Sequence, residues 1–553
     1  MLLRRSIPAL LLAALLFAYI VYPVLAMLSE ALTLPVSEYR AEAMGWNVNA
    51  QPFAAPLRRI FAEPNAIASA LRTIEIALAT VLASCAWGTA LALLWQRRDF
   101  PGRCFFAALG YAPILMPPLV GTLAFFRLLG EGGLLWRWLP FGDGQPWIGG
   151  FGQVLLMHTY AFGIFSFAYV SAALEDIDPS QEEAARSLGA AQLRAFFTAV
   201  WPVIRPPLLA SAFITFMSAV ASFSAPYILD NSSHYLTVDI LNEAGDLGMQ
   251  RAFSVVLAAI ALSALPAFLY INRRGRFGAD MGIGMKGSAR KSLPPASGAG
   301  VSIRVLLSIV VAIVLLAPLS LVVAGATTTP NGSSQSVFHS ISNLDASDWV
   351  SLGRSGQYAM AAALTDILLA LAIALSLRKA SAAAVFSVEF SVMLALALPG
   401  SALAVSISSV FNGPSFLSAG VPLGRTATIL IIAYAIRNLP LAVRPARATL
   451  QAVGADLENA AGSLGARRAR VLWQITLPLI FPSLLAAALI CFITAAGEYV
   501  ASVLLYGVAT KPVSVAVYEL FRSAPERAYA LALCLMLASA TVIGAARMVR
   551  KNK

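Results

Sequence analysis

Apolar residues in this 553-residue chain gather into twelve runs, near 7–28, 66–95, 104–129, 150–173, 207–229, 252–271, 303–325, 356–377, 386–411, 424–446, 483–505 and 527–547. Each is close to the ~20 residues a helix needs to cross a hydrocarbon core, and polar stretches separate them. The pattern predicts an all-α membrane protein of about twelve transmembrane helices. The first run follows Arg4 and Arg5 as a signal peptide would, but it is too long and lacks a small-x-small cleavage site, so it reads as a retained helix.

The runs fall into two sets of six. Between them, Arg273 to Gly300 (RRGRFGADMGIGMKGSARKSLPPASGAG) is rich in Gly, Ser, Pro and basic residues that cannot form a packed core, and it reads as a linker. Residues 1–272 then form a first half and 301–553 a second.

Composition agrees with this division and narrows the function. With 59% hydrophobic and 12% charged residues, a cytosolic enzyme is excluded. The net charge of +12 is explained by where the cations fall. Arg4/Arg5, Arg97/Arg98/Arg103, Arg273/Arg274/Arg276, Arg378/Lys379, Arg467/Arg468/Arg470 and Arg547/Arg550/Lys551 all lie on one side of a twelve-span arrangement. The positive-inside rule makes that side cytoplasmic, puts both termini there, and removes nucleic acid as a partner. Cys85, Cys104, Cys491 and Cys534 lie in or beside apolar runs, without disulfide or metal spacing. No phosphate-binding Gly-x-x-x-x-Gly-Lys-Ser/Thr loop occurs, and His158, His234 and His339 are dispersed. No catalytic residue, metal site or cofactor is expected.

A repeated segment between the fourth and fifth runs of each half carries the most information. EEAARSLGAAQLRAFFTAVWPVIRP spans 182–206 and ENAAGSLGARRARVLWQITLPLIFP spans 458–482, aligned without a gap when Gly189 is set on Gly465. Two copies at equivalent places mark a duplication. Helix-forming Glu and Ala, a Gly turn and a later Pro predict a short helix, a turn and a second helix. Such a segment suits docking into a groove of a soluble partner, or serves as an interfacial helix holding the spans.

Charged residues inside spans are costly and mark candidate function. Glu75, Asp366, Arg437 and Glu498 stand out. Glu75 and Asp366, in the second spans of the two halves, could face one another and with Glu498 line an acidic vestibule for a hard cation. The alternative is hydrogen bonding to neighbouring helices. Arg437 could pair with Glu498 or fix a bend at Pro440.

The repeat resembles the signature of ABC importer permeases: Glu-Ala-Ala, three residues, Gly, nine residues, Ile-x-Leu-Pro. Glu183, Ala184, Ala185, Gly189 and Pro202 match in the first copy, and Ala460, Ala461, Gly465, Ile475, Leu477 and Pro478 in the second. Ala199 and Trp201 depart from the pattern, as does Asn459, with Glu458 one residue early. The resemblance extends over essentially the whole chain and implies two homologous six-helix type I permease halves. It further implies coupling segments for two copies of an ATP-binding subunit, a periplasmic or lipid-anchored substrate-binding protein, and the bacterial inner membrane. ALPGSALAVSISSVFNG at 397–413 and the stretch 493–523 look most like ferric-iron permeases. Thiamine, aminoethylphosphonate and polyamine uptake are the alternatives within the class, and a twelve-helix secondary transporter the alternative outside it.

Overall fold

A computed structural model describes residues 2–36, 44, 47, 51–138, 146–175, 177, 179–266, 298–328, 335–378, 380–452 and 456–551, and its regular elements are all helices. Most of the expected linker, 273–297, lies outside the described residues. Numbering the longer helices and the two repeated segments, the first half contains α1 (Ile7–Thr33), α2 (Pro64–Gln96), α3 (Pro118–Leu129), α4 (Gly150–Glu175), α5 (Pro179–Ser187), α6 (Gln192–Val220) and α7 (Leu247–Ser263). The second contains α8 (Ala299–Thr327), α9 (Ala346–Leu377), α10 (Ala382–Ala397), α11 (Gly400–Phe411), α12 (Ala427–Ala452), α13 (Asp456–Ser463), α14 (Ala469–Ala496) and α15 (Pro525–Lys551).

Among the described residues nine helices are long and apolar enough to cross a membrane, or ten if α10 and α11, bent by 116°, count as one span. The chain is an all-helical membrane protein. Several expected runs are not single straight helices. The run at 104–129 divides into Arg103–Leu109, a 3-10 turn at Ala112–Leu115 and α3. The run at 386–411 breaks at Leu398, and those at 207–229 and 483–505 straddle breaks at 221–223 and 497–499. Proline explains the first two. The residue before a proline is pushed out of the helical region, and Met116 (ψ 112) and Leu398 (ψ 129) are both extended ahead of Pro117 and Pro399.

Within each half the second, fourth and fifth spans pack into a central bundle: α2, α4 and α6 in the first, α9, α12 and α14 in the second. Tight approach is possible because small residues lie at the crossing, the packing that lipid-embedded helices favour. A Cβ placed on Gly88 of α2 would sit 2.6 Å from the Phe167 backbone nitrogen of α4, with the Gly163 carbonyl closer still. Gly88→Leu is therefore expected to force the two helices apart, an overpacking cost of about 1–3 kcal/mol or more. Size-exclusion profiles of solubilised protein should show aggregated material in place of the monodisperse peak.

The halves embrace reciprocally. The first helix of each packs against the third span of the other: α1 on α10 and α11, and α8 on α3. Polar side chains pin both seams. Tyr19 donates to the Leu417 carbonyl at 3.1 Å, Tyr160 to the Leu315 carbonyl at 3.0 Å, and Trp95 to Ser308 Oγ at 2.9 Å. In an apolar surround each such donor would otherwise be unsatisfied.

Candidate functional site

The two repeated segments fold identically, element by element. In the first copy α5 is followed by a turn, Gln192–Ala195, a π-helical turn at Phe196–Val200, and the long helix from Trp201. In the second, Arg468–Val471, Leu472–Thr476 and the helix from Leu477 follow in the register that sets Gly465 on Gly189. Proline accounts for the π turn: Pro202 and Pro478 cannot donate to the carbonyl four residues back and their rings clash with it, so the helix widens just ahead of them.

Glycine accounts for the turn. Gly189 and Gly465 have φ of +89° and +81°, a region that side-chain-bearing residues avoid. The Ala190 and Ala466 N–H groups reach back to the Ala185 and Ala461 carbonyls at 3.1 and 3.0 Å, closing the helix end. The turn presents Leu188 and Leu464, each 89% exposed, and the π turn presents Phe197 and Trp473, also exposed and also in equivalent positions. No atom lies within 4 Å of a Cβ built on either glycine. Each copy thus presents apolar knobs to the exterior at equivalent positions. Ala184, Glu183 and Ala460 are exposed on the same segments, with Ala185 and Ala461 half-buried.

Arg437 and Glu498 meet: Nε of the guanidinium is 2.9 Å from Oε2, with the side chains 31% and 10% exposed. Glu498 Oε1 also accepts from the Ala501 N–H at 3.1 Å, capping the helix that restarts after the break. The guanidinium lies on Gly400, at the bend between α10 and α11. The corresponding place in the first half is neutral. Ser222, the counterpart of Glu498 in the register of the repeat, bonds His158 Nε2 at 2.8 Å, and His158 Nδ1 meets Thr80 Oγ1 at 3.1 Å.

Glu75 and Asp366 are not brought together. Glu75 is exposed, 3.9 Å from Arg72, which in turn approaches buried Asp230 at 3.7 Å. Asp366 is fully buried in α9 and lies against the Cys491 thiol of α14. Among the described residues no group of three His, Cys, Asp or Glu side chains could hold a metal ion.

Sequence reasoning missed an aromatic ring between the halves. Phe223 and Tyr499, equivalent residues at the two breaks, pack with centroids 5.7 Å apart. Tyr227 stacks on Phe223 at 4.9 Å, while Tyr518 meets Tyr499 at 5.7 Å and Tyr227 at 5.5 Å, both at a tilt of 43°. Two rings from each half thus close a circuit, with the Tyr499 hydroxyl buried and unpartnered. Beside it, Gly497 presses on Pro117 of the other half, where a Cβ would sit 2.9 Å from the proline ring. Extending the register of Gly189 and Gly465 beyond the repeated segment would have found Phe223 and Tyr499.

Comparison with known proteins points in the same direction as the repeat. Residues 366–552, which include the second repeated segment, match the family described as binding-protein-dependent transport system inner membrane component. Over 432 residues the chain is 28% identical to the ferric transport system permease protein FbpB of Actinobacillus pleuropneumoniae. Residues 366–552 thus resemble the membrane components of binding-protein-dependent transport systems, and most of the chain is similar to ABC importer permeases. Other relatives of this permease are a putative ferric transport system permease protein of Haemophilus influenzae, 28% identical over 432 residues, and a probable ABC transporter permease protein of Sinorhizobium fredii, 25% identical over 464 residues. The alignments cover 75%, 75% and 81% of the permease and 61%, 66% and 80% of these relatives. The permease therefore spans less than two thirds of the length of the first two.

Proposed function

We propose that this permease is the transmembrane subunit of an ATP-driven, binding-protein-dependent importer and that its cargo is ferric iron. The observation that carries the reading is the pair of superimposable segments, each with a left-handed glycine and an outward leucine, at one end of the two central bundles. One ATP-binding subunit docks on each. A separate binding protein delivers cargo at the opposite face, and the two halves, twelve spans in all with both termini cytoplasmic, rock against one another to give alternating access.

In this arrangement each segment continues directly into a helix, α6 or α14, that ends at the aromatic ring. Twenty residues from Trp201 to Val220, or from Leu477 to Ala496, span about 30 Å. Displacement of the segments therefore reaches Phe223 and Tyr499 through stiff rods, and the ring closes the pathway in the state described. Arg437 and Glu498 lie beside it and are assigned to the pathway, with Glu75 at its approach and Asp366 within its wall. Ferric iron is favoured as cargo because the two 28%-identical relatives are named as ferric transport permeases.

The test is uptake of radiolabelled ferric iron by cells with and without the chain, with Gly189→Trp/Gly465→Trp as the coupling control. ATP-dependent uptake should vanish on deletion and in the variant, while the variant still inserts. Unchanged uptake on deletion would remove iron and move the cargo to thiamine, an aminoethylphosphonate or a polyamine. Iron uptake through the chain with no ATP-binding subunit present would overturn the importer reading in favour of a secondary transporter.

A further inference from the structure

The two repeated segments are fastened to the bundle by the same kind of ion pair. Arg97, the residue closing α2, pairs through Nη2 with Glu182 of α5, and Arg378, closing α9, pairs through Nη1 with Glu458 of α13 at 2.7 Å. Glu182 and Glu458 each stand seven positions ahead of the turn glycine and so occupy the same place in the two copies. This resolves the departure at Asn459. Glu458 is not an early copy of Glu183 but the counterpart of Glu182, and Glu183, whose counterpart is Asn459, is exposed.

Each pair engages a third element, the π turn. The Arg97 guanidinium lies 5.5 Å from the centre of the Phe196 ring, and Thr476 Oγ1 donates to Glu458 Oε1 at 2.8 Å. The placement also suits the helix dipoles, with the cation at the C-terminus of a span and the anion in the first turns of the segment helix.

Without these pairs a segment is joined to its bundle by the chain itself, from α4 or α12 before it and into α6 or α14 after it, with no such link to the second span. With them, second span, segment and fifth span form a closed triangle that must move together. We propose that Arg97–Glu182 and Arg378–Glu458 are positioning pairs that convert displacement of the coupling segments into movement of the second spans. The proposal rests on the importer reading above. All four side chains are partly open to solvent, between 19% and 27% exposed, and pairs so placed contribute little to stability. A stabilising role alone would therefore leave little trace, whereas a transmitting role would be lost with the charge.

The test uses the full chain purified together with its ATP-binding subunit. Ala221→Cys, at the break beside the aromatic ring, reports movement through labelling by a membrane-impermeant maleimide above the level of the parent chain, with and without vanadate-trapped nucleotide. In the Arg97→Gln/Arg378→Gln background the complex should still assemble and hydrolyse ATP, but the nucleotide-dependent change in labelling should fall about five-fold or more. Exchanging the charges, Arg97→Glu with Glu182→Arg and Arg378→Glu with Glu458→Arg, should restore it. A full nucleotide response in the Gln variant overturns the positioning role while leaving the importer reading intact. So does a loss of response that tracks a loss of assembly and is not recovered by Arg97→Lys/Arg378→Lys controls that assemble. Absence of any ATP-binding subunit from the parent complex overturns the importer reading itself. No arm depends on iron being the cargo.

Discussion

Arg437→Ala is expected to lower the stability of the solubilised protein by about 3 kcal/mol, the low end of the range for breaking a buried ion pair because part of the guanidinium is open. Glu498 is the reason. Its side chain is 10% exposed, and among the described residues the Ala501 N–H would be left as the partner of this carboxylate at the junction of the two bundles. The double change Arg437→Ala/Glu498→Gln should recover much of the loss, since an amide can keep the cap on Ala501 without carrying a charge. Melting temperatures of the three variants and the parent, measured in one detergent, check the prediction. Equal Tm for the parent and Arg437→Ala would show that water reaches Glu498 in the resting state.

The second large effect concerns assembly and not folding. Leu188→Asp combined with Leu464→Asp should abolish co-purification of the ATP-binding subunit while leaving Tm unchanged. Both leucines are 89% exposed, so the isolated chain loses almost no contact. An apolar anchor at the centre of a docked interface typically contributes about 2 kcal/mol or more, and a buried aspartate in its place adds a desolvation penalty. Pull-down with tagged ATP-binding subunit reads the result. Retained binding by the double variant would mean that the knobs face lipid or the membrane surface, as an interfacial helix would.

The repeat was legible because it is written in residues with few substitutes. A left-handed turn needs Gly189 and Gly465, and the widened turn needs Pro202 and Pro478, so sequence and geometry share one register. The spans were legible as apolar runs, and Pro117 and Pro399 mark two of their breaks, but the other two were not legible. Hydropathy records that 207–229 and 483–505 are apolar and is silent about a bend, because interior breaks are made tolerable by partners elsewhere in the chain. The Ser222 carbonyl, freed at the first break, accepts from Thr237 at 2.9 Å. The Glu498 carbonyl, freed at the second, accepts from Ser514 at 2.7 Å. Asp366 shows the same limit from the other side. A carboxylate in an apolar run signals function by default, yet nothing in its neighbours along the chain distinguishes a residue facing a pathway from one sealed within a bundle. Arg437 and Glu498 were singled out for the same reason, with their pairing one of two readings for the arginine, and the packing of the fourth and fifth spans of the second half brings them to 2.9 Å.

The crossed packing of first helices sets the order in which the molecule can be completed during synthesis. When α3 enters the bilayer, the helix that covers it, α8, lies about 170 residues downstream, roughly 10–35 s away at ordinary elongation rates. Over that interval Arg127, which eventually meets Thr328 at 3.2 Å, and the Leu123 carbonyl, which later accepts from Tyr529 of the last helix at 3.0 Å, lack these partners from the second half. The first half is therefore expected to reach its final packing only after the second has been inserted. A chain truncated within the linker should be a substrate for membrane proteolysis, whereas one nicked there after completion should hold together.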